Sequence, residues 1–257
     1  MSSATYAGVP APELPKMSLL QHLGELRKRM VYSAIAVLVG FGVCFRYADT
    51  IYSYMQVPIT HALAKWHYST QLIYLNPTEP FNLYLKIGLI TGVFAACPVV
   101  LYQVWLFVAP ALFRDEKKYV LPFMVSTVGL FLGGGAFGYF MVYPAALDFL
   151  IGYSRQFQPM ITIGEYTSLF LTIVLGMGLI FELPILIFFL ALMRVVSAGW
   201  LWRNLRYAIL AIFVVAAIIT PTTDIMNMCL FAAPMVVLYL FSIGVAWIVN
   251  PTRAKSA

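Results

Sequence analysis

Residues 166–193 read YTSLFLTIVLGMGLIFELPILIFFLALM, and Glu182 is the one charged residue among them. A helix over this stretch rises about 1.5 Å per residue, enough to exceed the roughly 30 Å of hydrocarbon in a bilayer. A helix that is apolar on every side for this length has no polar face to turn to water. The stretch therefore reads as a membrane span, and the rest of the chain agrees. Of 257 residues, 62% are hydrophobic and 10% charged, against about a quarter charged in soluble domains. So little charge beside 16% aromatics also excludes disorder and fibrous repeats.

Working outward, charge-free windows cover 30–45, 87–113 and 119–147, and a last one, 207–251, is interrupted only by Asp224. That last window is too long for one helix. Thr220-Pro221-Thr222-Thr223-Asp224 supplies a turn, because Pro221 disfavours helix at Thr220 and Asp224 can cap the next helix. The chain is predicted to be all-α, with six transmembrane helices in one polytopic domain, 1–257. A flexible arm precedes it to about residue 16, and a short tail covers 251–257. The span before the turn, 207–220, would rise only about 21 Å, and the last two helices are expected to be short for a bilayer.

An even number of spans puts both termini on one side. With the N-terminus inside, the inner segments hold Lys16, Arg27, Lys28, Arg29, Arg114, Lys117, Lys118, Arg194, Arg203, Arg206, Arg253 and Lys255. The outer side keeps Arg46, Lys65, Lys86 and Arg155. This is a positive-inside distribution, and it assigns the net charge of +6 to topology rather than to nucleic acid. Arg46-Tyr47-Ala48-Asp49 is no small-residue cleavage site, so the first helix reads as a retained span. Two outer connections are expected to be long, 47–81 and 143–165, the first a partly helical cap. Gly129, Gly133, Gly134, Gly135 and Gly138 give GxxxG spacings that let a neighbouring helix approach, either within the chain or across a dimer seam.

Soluble-enzyme chemistry finds no footing. Cys44, Cys97 and Cys229 are too scattered for a CxxC pair, and His22, His61 and His67 match no zinc spacing, so no metal or cofactor is expected. There is no phosphate loop and no G-x-S-x-G elbow. Glu182 stands out instead. An acid at mid-span costs about 2.5–3.5 kcal/mol on insertion scales. Two residues on, Pro184 cannot donate to the Ile180 carbonyl. Three readings stay open: an acid hydrogen-bonded in the bundle, a proton or ion relay, and a polar groove for a passing or docking segment.

Before the first span stands His22-Leu23-Gly24-Glu25-Leu26-Arg27-Lys28-Arg29, where Glu25 and Arg29 are spaced to pair along a helix. In the first inner loop, Arg114-Asp115-Glu116-Lys117-Lys118 places two acids among cations, with Asp115 able to cap the third helix.

The order of these motifs resembles the TatC family, the multispanning subunit of the twin-arginine protein translocase. His22 to Arg29 resembles the family's H-L-x-E-L-R-x-R entry, and Asn76-Pro77-Thr78-Glu79-Pro80-Phe81 its first outer loop. Pro98-Val99-Val100-Leu101-Tyr102-Gln103 through Phe107-Val108-Ala109-Pro110-Ala111-Leu112 is similar to its most characteristic stretch, followed by Glu116. Gly135 to Phe140, Phe181-Glu182-Leu183-Pro184, and Thr220-Pro221 with Asp224 continue the match in order, over about residues 17–250.

The resemblance implies a receptor subunit that binds twin-arginine signal peptides of folded proteins for export driven by the proton-motive force. It implies a signal-peptide site at Glu25 and Glu116 supported by Arg27. Pro58, Phe107, Tyr139 and Asp224 would be functionally sensitive positions, and Glu182 would face a concave, glove-like hollow. Implied partners are single-span TatA-type and TatB-type subunits docking near the fifth and sixth helices through a polar cluster. The assembled complex would be homo-oligomeric in this subunit and sit in the bacterial cytoplasmic (inner) membrane. The cluster departs from the family pattern: Thr222 and Thr223 add one residue between Pro221 and Asp224, and Met228 stands at the usual glutamine position. Thr220 and Asn227 are its nearest counterparts here. The rival reading is a proton-coupled transporter of a small solute using Glu182, which lacks a matching inverted repeat. An intramembrane enzyme would need a paired catalytic constellation that the spans do not offer.

Overall fold

The computed structural model describes residues 19–108, 120–153, 157–220 and 225–249. The described chain is nearly all helical. Helix α1, Leu19–Arg46, leads into a short outer pair, α2, Ala48–Met55, and α3, Val57–Lys65. Helix α4, Glu79–Val108, returns across the bundle, and α5, Val120–Phe137, runs through a π-turn, Gly138–Val142, into α6, Tyr143–Tyr153. Helices α7, Ile163–Ile180, and α8, Leu183–Leu192, make the fourth crossing in two pieces; α9, Ala198–Arg203, lies between α8 and α10, Leu205–Ile219; and α11, Ile225–Val249, is last. Five of these crossings are long and apolar enough to span a bilayer, and α10 is a shorter apolar helix.

Glycine sets the tightest contact. A Cβ on Gly40 would lie 2.6 Å from the Gly92 carbonyl oxygen, and one on Gly92 would lie 2.6 Å from the Phe41 amide nitrogen. Without side chains there, α1 and α4 meet backbone to backbone, which substitutes dispersion contact for the hydrophobic drive that lipid does not supply. The opposite face of α1 points outward, with Met30, Leu38 and Val39 all exposed. The GxxxG spacings divide. Gly134 and Gly138 press on Met177 and Ile173 of α7, and Gly135 on the Phe94 ring, whereas Gly129 and Gly133 have open space around them.

The core is concentrated at the outer end. Tyr143, Tyr166, Ile59, Leu63, Ile87, Ile173 and Met177 are fully buried, and the rings of Tyr143, Tyr166 and Phe170 stand edge-on or tilted to one another. The outer loops are tied by the Ile73 amide donating to the Ile161 carbonyl at 3.1 Å and the Ile163 amide to the Ile73 carbonyl at 2.9 Å. Thr162 then caps α7, accepting from the Glu165 amide at 3.2 Å.

Two expectations need correction. The second outer connection is far shorter than 143–165, because the third crossing stays helical to Tyr153. Lys65 of α3 pairs with Asp148 of α6 at 2.7 Å, an exposed contact that ties those two helices together. Likewise α11 is not short: 25 residues rise about 37 Å. Pro234 removes one backbone donor, yet Phe231, Ala232 and Met235 are buried around it, and that packing holds the helix through the proline. Only α10, with 15 residues and about 22 Å, is short.

Candidate functional site

At the inner end of α1, Glu25 and Arg29 lie on one helix face. The Arg29 guanidinium donates to Glu25 Oε1 at 3.0 Å, and its other terminal nitrogen donates to Gln103 Oε1 on α4 at 3.1 Å. Both members of the ion pair are mostly covered, at 23% and 21% exposure. Arg29 is thus forked between a carboxylate and an amide, which fixes the Glu25 carboxylate relative to α4. The glycine seam higher up α1 and α4 makes this reach possible. Arg27 is exposed beside it, as are Lys28 and Leu23. Phe107 is half-buried in the last turn of α4. Gln103 was the residue that sequence reasoning missed. It stood inside the characteristic Pro98–Gln103 stretch, but only the packed helices reveal that it holds Arg29. Glu116 and Asp224 lie outside the described residues.

Glu182 marks the break between α7 and α8. Its carbonyl accepts from the Ile185 and Leu186 amides at 3.1 and 2.9 Å and so starts α8. Its side chain is half-buried, and Oε1 is buried without a hydrogen-bond partner among the described residues. It borders an apolar groove of about 350 Å³ between α4, α5 and α8, with Leu101, Trp105, Met124, Ile185 and Phe189 in its walls. A carboxylate oxygen there calls for a proton, water or a donor brought in by another segment. Among the described residues, no three His, Cys, Asp or Glu side chains come together to hold a metal ion.

Pro58 and Tyr139, far apart in sequence, meet at the outer cap. Pro58 sits in the first turn of α3, four residues after Tyr54, and has no N–H to give the Tyr54 carbonyl. Tyr139, aimed by the π-turn, donates its hydroxyl to that carbonyl at 2.8 Å. The Tyr166 hydroxyl does the same for the Met55 carbonyl. The two tyrosines thus satisfy acceptors at the end of α2. Thr220 is buried at the end of α10 and donates its hydroxyl back to the Ala216 carbonyl at 2.9 Å. Asn227 lies in the first turn of α11.

Comparison with known proteins matches residues 21–234 to the family model "Sec-independent protein translocase protein (TatC)". The chain is 66% identical over 242 residues to the Sec-independent protein translocase protein TatC of Koribacter versatilis, covering 94% of this chain and 89% of the relative. It is 37% identical to the protein of that name from Carboxydothermus hydrogenoformans, over 91% and 95% of the two chains. A crystal structure of a twin arginine translocase receptor, TatC, superposes with a TM-score of 0.80 at 36% identity, over 89% of this chain and 99% of that one.

Proposed function

The chain belongs to the TatC family of Sec-independent protein translocases, and we propose from that premise that Glu25 is the fixed half of its signal-peptide site. The protein is a multi-pass membrane receptor of the twin-arginine translocase, a component of protein transport. Its site would read two arginines on an extended peptide with two acids, Glu25 and Glu116, while Arg27 supports it. A guanidinium presents a planar fork to a carboxylate, whereas lysine offers a compact point charge. The observation that carries the reading is the Glu25–Arg29–Gln103 chain. Arg29 occupies Oε1 of Glu25 and Gln103 holds Arg29, while among the described residues no ion pair engages Oε2, which leaves it for an incoming guanidinium. The cations nearby repel basic peptides in general, so affinity rests on the acids and their geometry.

The rest of the assembly follows from the same premise. Single-span TatA-type and TatB-type subunits would dock by the α10–α11 hairpin near Thr220 and Asn227, with several copies of this chain in one complex. Its place is the bacterial cytoplasmic membrane, with both termini inside. Glu182 would offer its unpartnered oxygen to a segment entering the groove, and the protein acts by recognition rather than catalysis.

The test is the affinity of a twin-arginine peptide for the purified full chain. Glu25→Gln and Glu116→Gln should each weaken it about 10-fold to 100-fold, the worth of one charge-assisted bond. Gln103→Ala should weaken it several-fold by loosening Arg29, and Glu13→Ala should leave it alone. A twin-lysine peptide should bind weakly to all of them. Unchanged affinity in both acid variants, with the protein correctly inserted, would remove the site.

A further inference from the structure

Between α8 and α10 the chain reads Ser197-Ala198-Gly199-Trp200-Leu201-Trp202-Arg203-Asn204-Leu205-Arg206-Tyr207. Its apolar side is locked. Ala198 and Leu201 are buried against Ile187, Ala191 and Ala246, and the Tyr239 hydroxyl donates to the Leu201 carbonyl at 3.0 Å. What faces outward is of a different kind. Trp200, Trp202 and Tyr207 are each more than half exposed. Arg203 and Arg206 are exposed as well, and neither pairs with a carboxylate among the described residues, where the ion pairs are Glu25–Arg29 and Lys65–Asp148.

These side chains enclose an open, mainly polar cavity of about 500 Å³, with Ser197, Trp200, Arg203, Asn204, Arg206 and Tyr207 in its wall. Two of its groups are already set in place. The Arg206 guanidinium lies 4.8 Å from the Tyr207 ring centroid and donates to the Tyr207 hydroxyl at 3.2 Å. Asn204 donates its side-chain amide to the Trp200 carbonyl at 2.8 Å.

We propose that this cavity binds the phosphate headgroup of an anionic phospholipid. Two guanidinium forks that pair with no acid among the described residues are the donors that phosphate oxygens take in pairs. Exposed tryptophan and tyrosine at the end of an apolar helix mark headgroup depth, and Trp200 and Trp202 give the acyl chains something to lie against. The short α10 brings its own end below the ordinary headgroup level, so Arg203 and Arg206 meet phosphates drawn toward it. A free phosphate ion has the same oxygens but gains nothing from the tryptophans. The site is separate from the signal-peptide reading, because a cationic peptide is repelled here.

The experiment is lipid retention by the full chain in detergent, read by native mass spectrometry with phosphatidylglycerol or phosphatidylcholine of identical acyl chains. The wild-type protein should retain phosphatidylglycerol about tenfold better. Arg203→Gln with Arg206→Gln should bring it down to the phosphatidylcholine level, and Arg46→Gln at the other end of the bundle should change nothing. Millimolar inorganic phosphate should not displace the lipid. Retention unaffected by the double variant, an equal loss in Arg46→Gln, or displacement by inorganic phosphate would each overturn the proposal. A second measurement needs no destabilising change. Dibrominated phosphatidylglycerol should quench tryptophan fluorescence of the wild-type protein more than dibrominated phosphatidylcholine, and the excess should vanish in Trp200→Phe with Trp202→Phe. Equal quenching by the two lipids would refute it.

Discussion

Pro58 and Tyr139 form a pair in which one residue creates a vacancy and the other fills it. The proline leaves the Tyr54 carbonyl without a helical donor, and the tyrosine hydroxyl reaches it across the cap. Each alone reads as an ordinary packing residue; together they close one backbone hydrogen bond at the end of α2. Tyr139→Phe should lower stability by about 1 kcal/mol, the net worth of one hydrogen bond. Pro58→Ala supplies a donor four residues after Tyr54, so in that background the loss from Tyr139→Phe should shrink. A double-mutant cycle of thermal unfolding in detergent measures the coupling, and strict additivity would show the two to be independent.

At the scale of elements, the α1–α4 seam connects mid-membrane glycine to inner-face chemistry. Gly92 faces backbone atoms, which cannot swing aside as a flexible side chain would. Gly92→Val is expected to force the helices apart, costing about 1–3 kcal/mol by overpacking. It should also weaken twin-arginine peptide binding, since the Arg29–Gln103 hydrogen bond depends on that spacing. Gly129→Ala and Gly133→Ala on α5 meet open space and should leave stability level or raise it, because alanine favours helix by up to about 1 kcal/mol. Melting temperature and peptide affinity measured on the same preparations separate these outcomes. The fourth crossing shows the opposite device. Pro184 and Glu182 break it into α7 and α8, and the break gives a half-buried acid a groove to face.

For the whole molecule, the consequential asymmetry is in length. Helix α10 rises about 22 Å and α11 about 37 Å, yet they are neighbours in one hairpin. Arg203 and Arg206 can lengthen α10 by reaching to the headgroups, but not by the full deficit against roughly 30 Å. The bilayer is therefore expected to thin beside α10 and not on the far side, where α1 faces lipid over a full-length helix. A structure in lipid nanodiscs, with bilayer thickness measured around the perimeter, checks this. Uniform thickness would contradict it, and extending α10 by four leucines should abolish the thinning.

The composition and the apolar windows from 30–45 to 207–251 were enough to determine a six-helix membrane protein. Hydrocarbon admits only segments that satisfy their own backbone, and such segments announce themselves by length and lack of charge. The positive-inside pattern and the end of α10 at Thr220 are legible for similarly local reasons, and so are Glu182 and the Glu25–Arg29 spacing. What lay beyond reach was whatever depends on a partner distant in the chain. The charge-free window closes at Leu147, yet the third crossing continues as helix to Tyr153, where Asp148 pairs with Lys65, 83 residues away in the chain. Pro234 gave no sign that Phe231, Ala232 and Met235 would be packed well enough to carry α11 through it. Gln103 became part of the Glu25 site only because Gly40 and Gly92 bring two backbones together. Sequence by itself determined which segments enter the membrane, since that is a transfer free energy of each segment alone. Tertiary structure decided which polar groups find one another there, because in a medium without water a polar group's state is set by the neighbour that packing supplies.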